Sequence, residues 1–121
     1  MRVYSDIDEE RNRLVVGYAG QVTLHDITEM TRTSSAAGML HFQLLADMRL
    51  GTMTLEGDDW AGFAALVRKL ALGSRLGQTA VLVASLPDLE AAKRITELAA
   101  GLCDVRGFLD RTEAERWLGW V

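Results

Sequence analysis

One cysteine, one proline and only two lysines occur in 121 residues, and each scarcity closes off a class of protein. Cys103 stands alone, which excludes an intrachain disulfide and any cysteine-based metal site. The net charge is −4, and the cations are eleven scattered arginines with Lys69 and Lys93. A nucleic-acid binder would carry a basic face, and none is visible. Arg68, Lys69 and Arg75 are the one loose cluster and read as the solvated end of a helix, where positive charge suits the dipole. His25 and His41 have no spacing that suits a metal. No apolar run approaches the ~20 residues of a membrane span, and residues 1–10 are too charged for a signal peptide. These features point to a cytoplasmic protein with no nucleic-acid or membrane partner and no cofactor. Also missing are a Ser-His-Asp arrangement, a glycine-rich phosphate loop, an internal repeat and a low-complexity linker.

What is present is apolar: 49 % of the residues are hydrophobic, enough for one domain with a sizeable core. Residues 2–7 predict a short strand, 8–12 a polar turn and 14–20 a second strand, together a hairpin. Thr23 can cap a helix from Leu24 to Ser35, with Leu24, Ile27 and Met30 on one face. A strand follows from His41 to Met48, then a loop through Gly51, Thr52 and Thr54. Gly57, Asp58 and Asp59 open a helix with an apolar stripe of Trp60, Phe63, Ala64, Val67, Leu70 and Ala71, which Gly73 and Gly77 bracket at its exit. Thr79 to Ser85 is the most strand-like stretch. Ser85 caps the next helix, with Pro87 early and Asp88 three residues on, and Gly101 closes it. Residues 105–110 form the last strand. Asp110, with Glu113 completing a capping box, starts a final helix that buries Ala114, Trp117, Leu118 and Val121.

The order β-β-α-β-α-β-α-β-α implies an α/β domain over residues 1–121 whose sheet is mixed, five-stranded and mostly parallel. The second and fourth strands are apolar in both registers, so both of their faces must be covered, by helices or by a second subunit. Val15, Val81 and Val83 are expected to face one side, and Leu14, Val16, Leu82 and Ala84 the other.

The stretches LVVGYAGQVTLHDI, LLADMRLGT, TAVLVAS and VRGFLDRTEAERWL, behind a charged first strand, resemble the SpoIIAA-like family, grouped with the STAS domains. The fold is also similar to CRAL-TRIO lipid-transfer domains. The most specific pieces are Asp47-Met48-Arg49 and Phe108-Leu109-Asp110 with Ala114, Trp117 and Leu118. The resemblance implies a βα superhelical layer of consecutive strands behind a leading hairpin strand. It also implies a binding module of bacterial regulation or stress signalling, switched by phosphorylation of a serine at the start of the helix after the third strand. Here that stretch is TMTLEGDDW, without serine. Glu56 or Gly57 falls near the switch position, beside Asp58 and Asp59, and a phosphate there would be repelled by carboxylates. Glu56 and Asp58 are better explained as acids suited to a helix start. Thr52 and Thr54 remain the modifiable hydroxyls.

Asp47 and Arg49 sit two apart at the end of an apolar strand, where open α/β sheets often place ligands. One reading makes Asp47 an acid, base or acceptor and Arg49 an anion clamp. The favoured reading is architectural: Asp47 accepts backbone N–H groups of the Gly51–Thr52 loop, with Arg49 paired to it. Trp120, Met39, Met48 and Met53 are candidates for an exposed apolar patch.

Three functions follow in order: a non-enzymatic interaction module, with an unspecified protein partner and homodimeric by contact between apolar sheet faces; a small carrier of a lipid or other apolar ligand; and an enzyme using Asp47 and Arg49. Edge pairing of the first strand is disfavoured, since Asp6, Asp8 and Glu9 repel a like neighbour. For a carrier, 121 residues leave little chain for the ~300 Å³ that ligand sites usually need.

Overall fold

The computed structural model describes residues 2–121. The chain runs β1 (Arg2–Asp8), β2 (Arg13–Val22), α1 (Leu24–Ala36), β3 (Gln43–Met53), α2 (Asp59–Gly73), β4 (Thr79–Leu82), α3 (Leu86–Leu98), β5 (Val105–Phe108) and α4 (Arg111–Leu118). The five strands lie in the order β1-β2-β3-β4-β5. β1 is antiparallel to β2, and every later pair is parallel. A short turn joins β1 to β2, and from β2 onward the consecutive order follows from connections that each carry one helix and return beside the previous strand.

The strands depart from the expected bounds in an informative way. β3 does not stop at Met48 but continues to Met53, and β2 reaches Val22. Gly17 pairs with Asp47 while Ala19 pairs with Leu50, so β3 holds one extra residue at Met48–Arg49. That bulge lets the ladder resume as far as the Val22–Met53 pair. Burial of Val22, whose exposure is 0 %, rewards the continuation. β4 ends earlier than expected, at Leu82, although the Val83 N–H still donates to the Phe108 carbonyl.

Helices flank both faces. Leu14, Val16, Tyr18, Val22, Met48, Val81, Val83 and Val105 form one buried cluster with Phe63 and Val67 of α2 and Ala92 and Ile95 of α3; Leu24, Ile27 and Met30 of α1 pack against it. On the other face Leu45, Ala80 and Leu82 meet Ala114 and Leu118 of α4, with Val15, Phe108, Trp117 and Trp120 around them. The expected grouping of strand residues is therefore corrected. Val15 shares a face with Leu82, and Leu14 and Val16 share the opposite face with Val81 and Val83. The register decides this, because Val16 pairs with Ala46 and Ala46 with Val81.

Local chemistry sets the helix ends. Thr23 and Asp26 exchange side-chain and backbone bonds in a full capping box, and the Ser85 hydroxyl accepts from the Asp88 N–H. Asp58 makes no side-chain cap bond; Asp59 instead accepts the Glu56 N–H. At α4 the cap is the Thr112 N–H on Asp110, in place of the expected box with Glu113. Gly119, at φ 78°, ends α4 in the left-handed region, so Val121 lies beyond the helix and is 76 % exposed rather than buried. Arg68, Lys69 and Arg75 are exposed, but the last turn of α2 holds no basic residue and Arg75 lies beyond the helix, so the expected placement at the helix end is corrected.

Candidate functional site

Two places gather the chemistry of this chain, and the first is the end of β3. Gly17 leaves room on the sheet for the ring of Tyr4 from β1, which any Cβ at position 17 would strike. The Tyr4 hydroxyl donates to Asp47 Oδ2 at 3.2 Å. Arg49 closes on the same carboxylate with Nε to Oδ1 at 3.0 Å and Nη2 to Oδ2 at 2.8 Å, and its backbone N–H reaches Oδ1 at 3.1 Å. Asp47 is 9 % exposed, whereas the Arg49 side chain is 44 % exposed. Hydrogen bonds from the Arg49 side chain hold the Asp47 carboxyl below its ordinary value, against the opposing effect of burial. Burial foremost, then the Asp47 charge, pushes the Tyr4 phenol up.

The pairing of Arg49 with Asp47 agrees with the architectural reading, but the expected donors from the Gly51–Thr52 loop do not take part. Those residues pair in the β2–β3 ladder, and the donors come from Arg49 and Tyr4 instead. The fork of Arg49 is turned onto Asp47 within β3, and the bond from the Tyr4 hydroxyl ties that carboxylate to β1 across β2.

The other candidates do not join this cluster. Thr52 is exposed on the strand. Thr54 is half-buried, and its hydroxyl donates to the Val22 carbonyl at 3.2 Å. Glu56 and Asp58 are exposed in the turn before α2. Nor do the methionines and Trp120 form an exposed patch. Met48 is in the core, Met39 and Met53 pack against it, and the Trp120 indole N–H donates to Gln43 Oε1 at 2.8 Å beneath the Arg13 guanidinium. Among the described residues no group of three His, Cys, Asp or Glu is placed to hold a metal ion.

The second place is a partly open apolar cavity of about 180 Å³ between the sheet and α1, α2 and α3. Leu14, Tyr18, Met30, Phe63, Val67 and Ile95 are among its walls. Tyr18 is 4 % exposed, and its hydroxyl is the one buried side-chain polar atom without a hydrogen-bond partner among the described residues. Burial pushes its pKa up to about 12. Cys103, Leu76 and Val105 line both this cavity and an open groove on the outside of the α2–α3 end. Burial also raises the Cys103 thiol.

Sequence reasoning passed over Tyr18. The available signal was a phenol in LVVGYAG, a strand whose two faces both had to be covered, because a buried phenol needs a partner.

No family model matches this chain, and no curated protein matches it. Among solved structures it is similar to an uncharacterized protein from the DUF3478 family with a SpoIIAA-like fold, from Shewanella loihica PV-4. The identity is 17 %, the match covers 98 % of this chain and 95 % of that one, and the TM-score is 0.64. With its consecutive mixed sheet and alternating helices, this chain has the SpoIIAA-like α/β fold.

Proposed function

We propose that this protein is a non-enzymatic binding module that takes a small apolar ligand into the cavity between the sheet and α1–α3. The supporting observation is the cavity itself: about 180 Å³ of space walled by apolar side chains, in an interior that close packing would otherwise fill. It falls below the ~300 Å³ of ordinary ligand sites, so the occupant is compact rather than a whole lipid. Asp47 and Arg49 serve the scaffold in this reading, since each is engaged by the other. Titration of isotope-labelled protein with small hydrocarbons tests it. Amide shifts centred on Leu14, Met30, Phe63 and Val67 are expected, together with slower reaction of Cys103 with a thiol reagent. A cavity indifferent to every such probe would overturn the reading.

A second reading is an interaction module, as in bacterial regulation or stress signalling, that pairs with a second copy through β1. It is favoured by one observation: every residue from Arg2 to Ile7 is exposed, including Val3, Tyr4 and Ile7. Contact between apolar sheet faces no longer supplies the driving force, because helices cover Leu14, Val16, Leu82 and Val83.

A further inference from the structure

Buried polar groups in folded proteins find partners, and a hydroxyl left without one signals a missing ligand or water. In this molecule the orphan is the Tyr18 hydroxyl, and its residue forms part of the cavity wall. The other polar groups of that wall are already spent. Thr31 donates to the Ile27 carbonyl at 2.8 Å, Ser34 to Met30 Sδ at 3.5 Å, Thr79 to the Gly77 carbonyl at 3.2 Å, and Cys103 to the same carbonyl at 3.3 Å. Among the described residues the wall therefore has one uncommitted side-chain donor in a mostly apolar lining, with no Lys, Arg, His, Asp or Glu.

From this we infer that the cavity selects a neutral molecule with a single hydrogen-bond acceptor (a ketone, aldehyde, ester or ether) and that Tyr18 donates to it. The inference rests on the binding reading above and adds the ligand's chemical class. Charged ligands are disfavoured because the described lining holds no ionisable side chain of Lys, Arg, His, Asp or Glu, and the two charges that the Tyr18 phenol feels, Arg2 and Asp26, lie outside it and are of opposite sign. A ligand that offered only a donor would leave the phenol proton unpartnered. Size is set by the space: an apolar cavity of ~150 Å³ takes benzene, so this one accepts roughly six to eight non-hydrogen atoms.

Tyr18 therefore acts as a specificity determinant, and a set of matched probes reads its effect. Cyclohexanone, methylcyclohexane and cyclopentanecarboxylate, all within that size, are titrated at neutral pH into the wild-type chain and into Tyr18→Phe, with cavity amide shifts as the readout. Phenylalanine keeps the ring and removes only an unpartnered oxygen, so the variant retains the fold; its amide spectrum checks this. Cyclohexanone and methylcyclohexane should bind the wild type, and the carboxylate should not. Tyr18→Phe should weaken cyclohexanone by about 3- to 10-fold, the range of one net hydrogen bond, and leave methylcyclohexane unchanged. If no probe binds, the binding reading itself fails. If both neutral probes bind and Tyr18→Phe leaves their ratio unchanged, water satisfies the hydroxyl and only the ligand class is overturned. Binding of the carboxylate as tightly as cyclohexanone would overturn it equally.

Discussion

Asp47 concentrates more polar bonds than any other side chain at the strand end, yet its work is structural. Asn at this position keeps the shape but loses the charge that Arg49 grips. Asp47→Asn should lower stability by ~1–3 kcal/mol, the range for hydrogen bonds to charged groups and the cost of breaking one. Denaturant unfolding measures it. The carboxyl is held below its ordinary value in the folded chain, so the unfolded chain takes up the proton first as the pH falls. This contribution is complete above the ordinary carboxylate value and is lost as the pH drops through the folded one. The difference in unfolding midpoint between wild type and Asp47→Asn should therefore shrink in acid. Tyr18 behaves in the opposite window. Its folded pKa is about 12, against ~10 when unfolded, so the unfolded chain releases the proton first. Tyr18 then costs the fold stability as the pH rises from about 10 to about 12, a loss that Tyr18→Phe should abolish in the same assay.

Single atoms decide how neighbouring elements fit. The turn between α2 and β4 passes against the β3 approach so closely that a Cβ on Gly77 would collide with the Phe42 backbone carbonyl. Backbone cannot move aside as a side chain can, so Gly77→Ala should cost about 1–3 kcal/mol. Gly73, at the end of α2, has open space and no left-handed backbone. There the same substitution should add ~0.4–1 kcal/mol by restricting the unfolded chain. In sequence both glycines bracket the exit of α2 alike; opposite shifts in the denaturant midpoint would separate them. α4 matters for a different reason: it supplies the helical residues of the second core cluster. Trp117 anchors it with its ring 5.5 Å from that of Phe108. Trp117→Ala should cost about 3–5 kcal/mol, and an unchanged midpoint would mean that α4 contributes little to that face.

At the scale of the molecule, three helices cover one face of the sheet, α4 covers part of the other, and β1 is open on both. Association through β1 has to overcome Asp6, Asp8 and Glu9, and the register shift between Arg2 and Tyr4 interrupts its pairing geometry. Added salt shortens the Debye length and so screens the repulsion between like charges on exposed edges. If β1 pairs with its copy, sedimentation equilibrium at about 100 μM, roughly two decades above a ~1 μM dissociation constant, should give a dimer that tightens with salt. A salt-independent monomer would leave the cavity as the working site of the chain.

Sequence alone determined the order of the elements, the capped starts of α1 and α3, and the need to cover both faces of β2 and β4. Each rests on periodicity or on a side chain bonding to its own neighbourhood, which a linear reading can see. The Asp47–Arg49 pair was legible for the same reason, being two residues apart on one strand. Tyr4 over Gly17, the bulge at Met48–Arg49, the sharing of faces by Val16 and Val81, and the unpartnered Tyr18 hydroxyl were decided only by tertiary structure. Strand register and helix placement create these features, and both are set by burial between segments tens of residues apart, where no local pattern records the outcome.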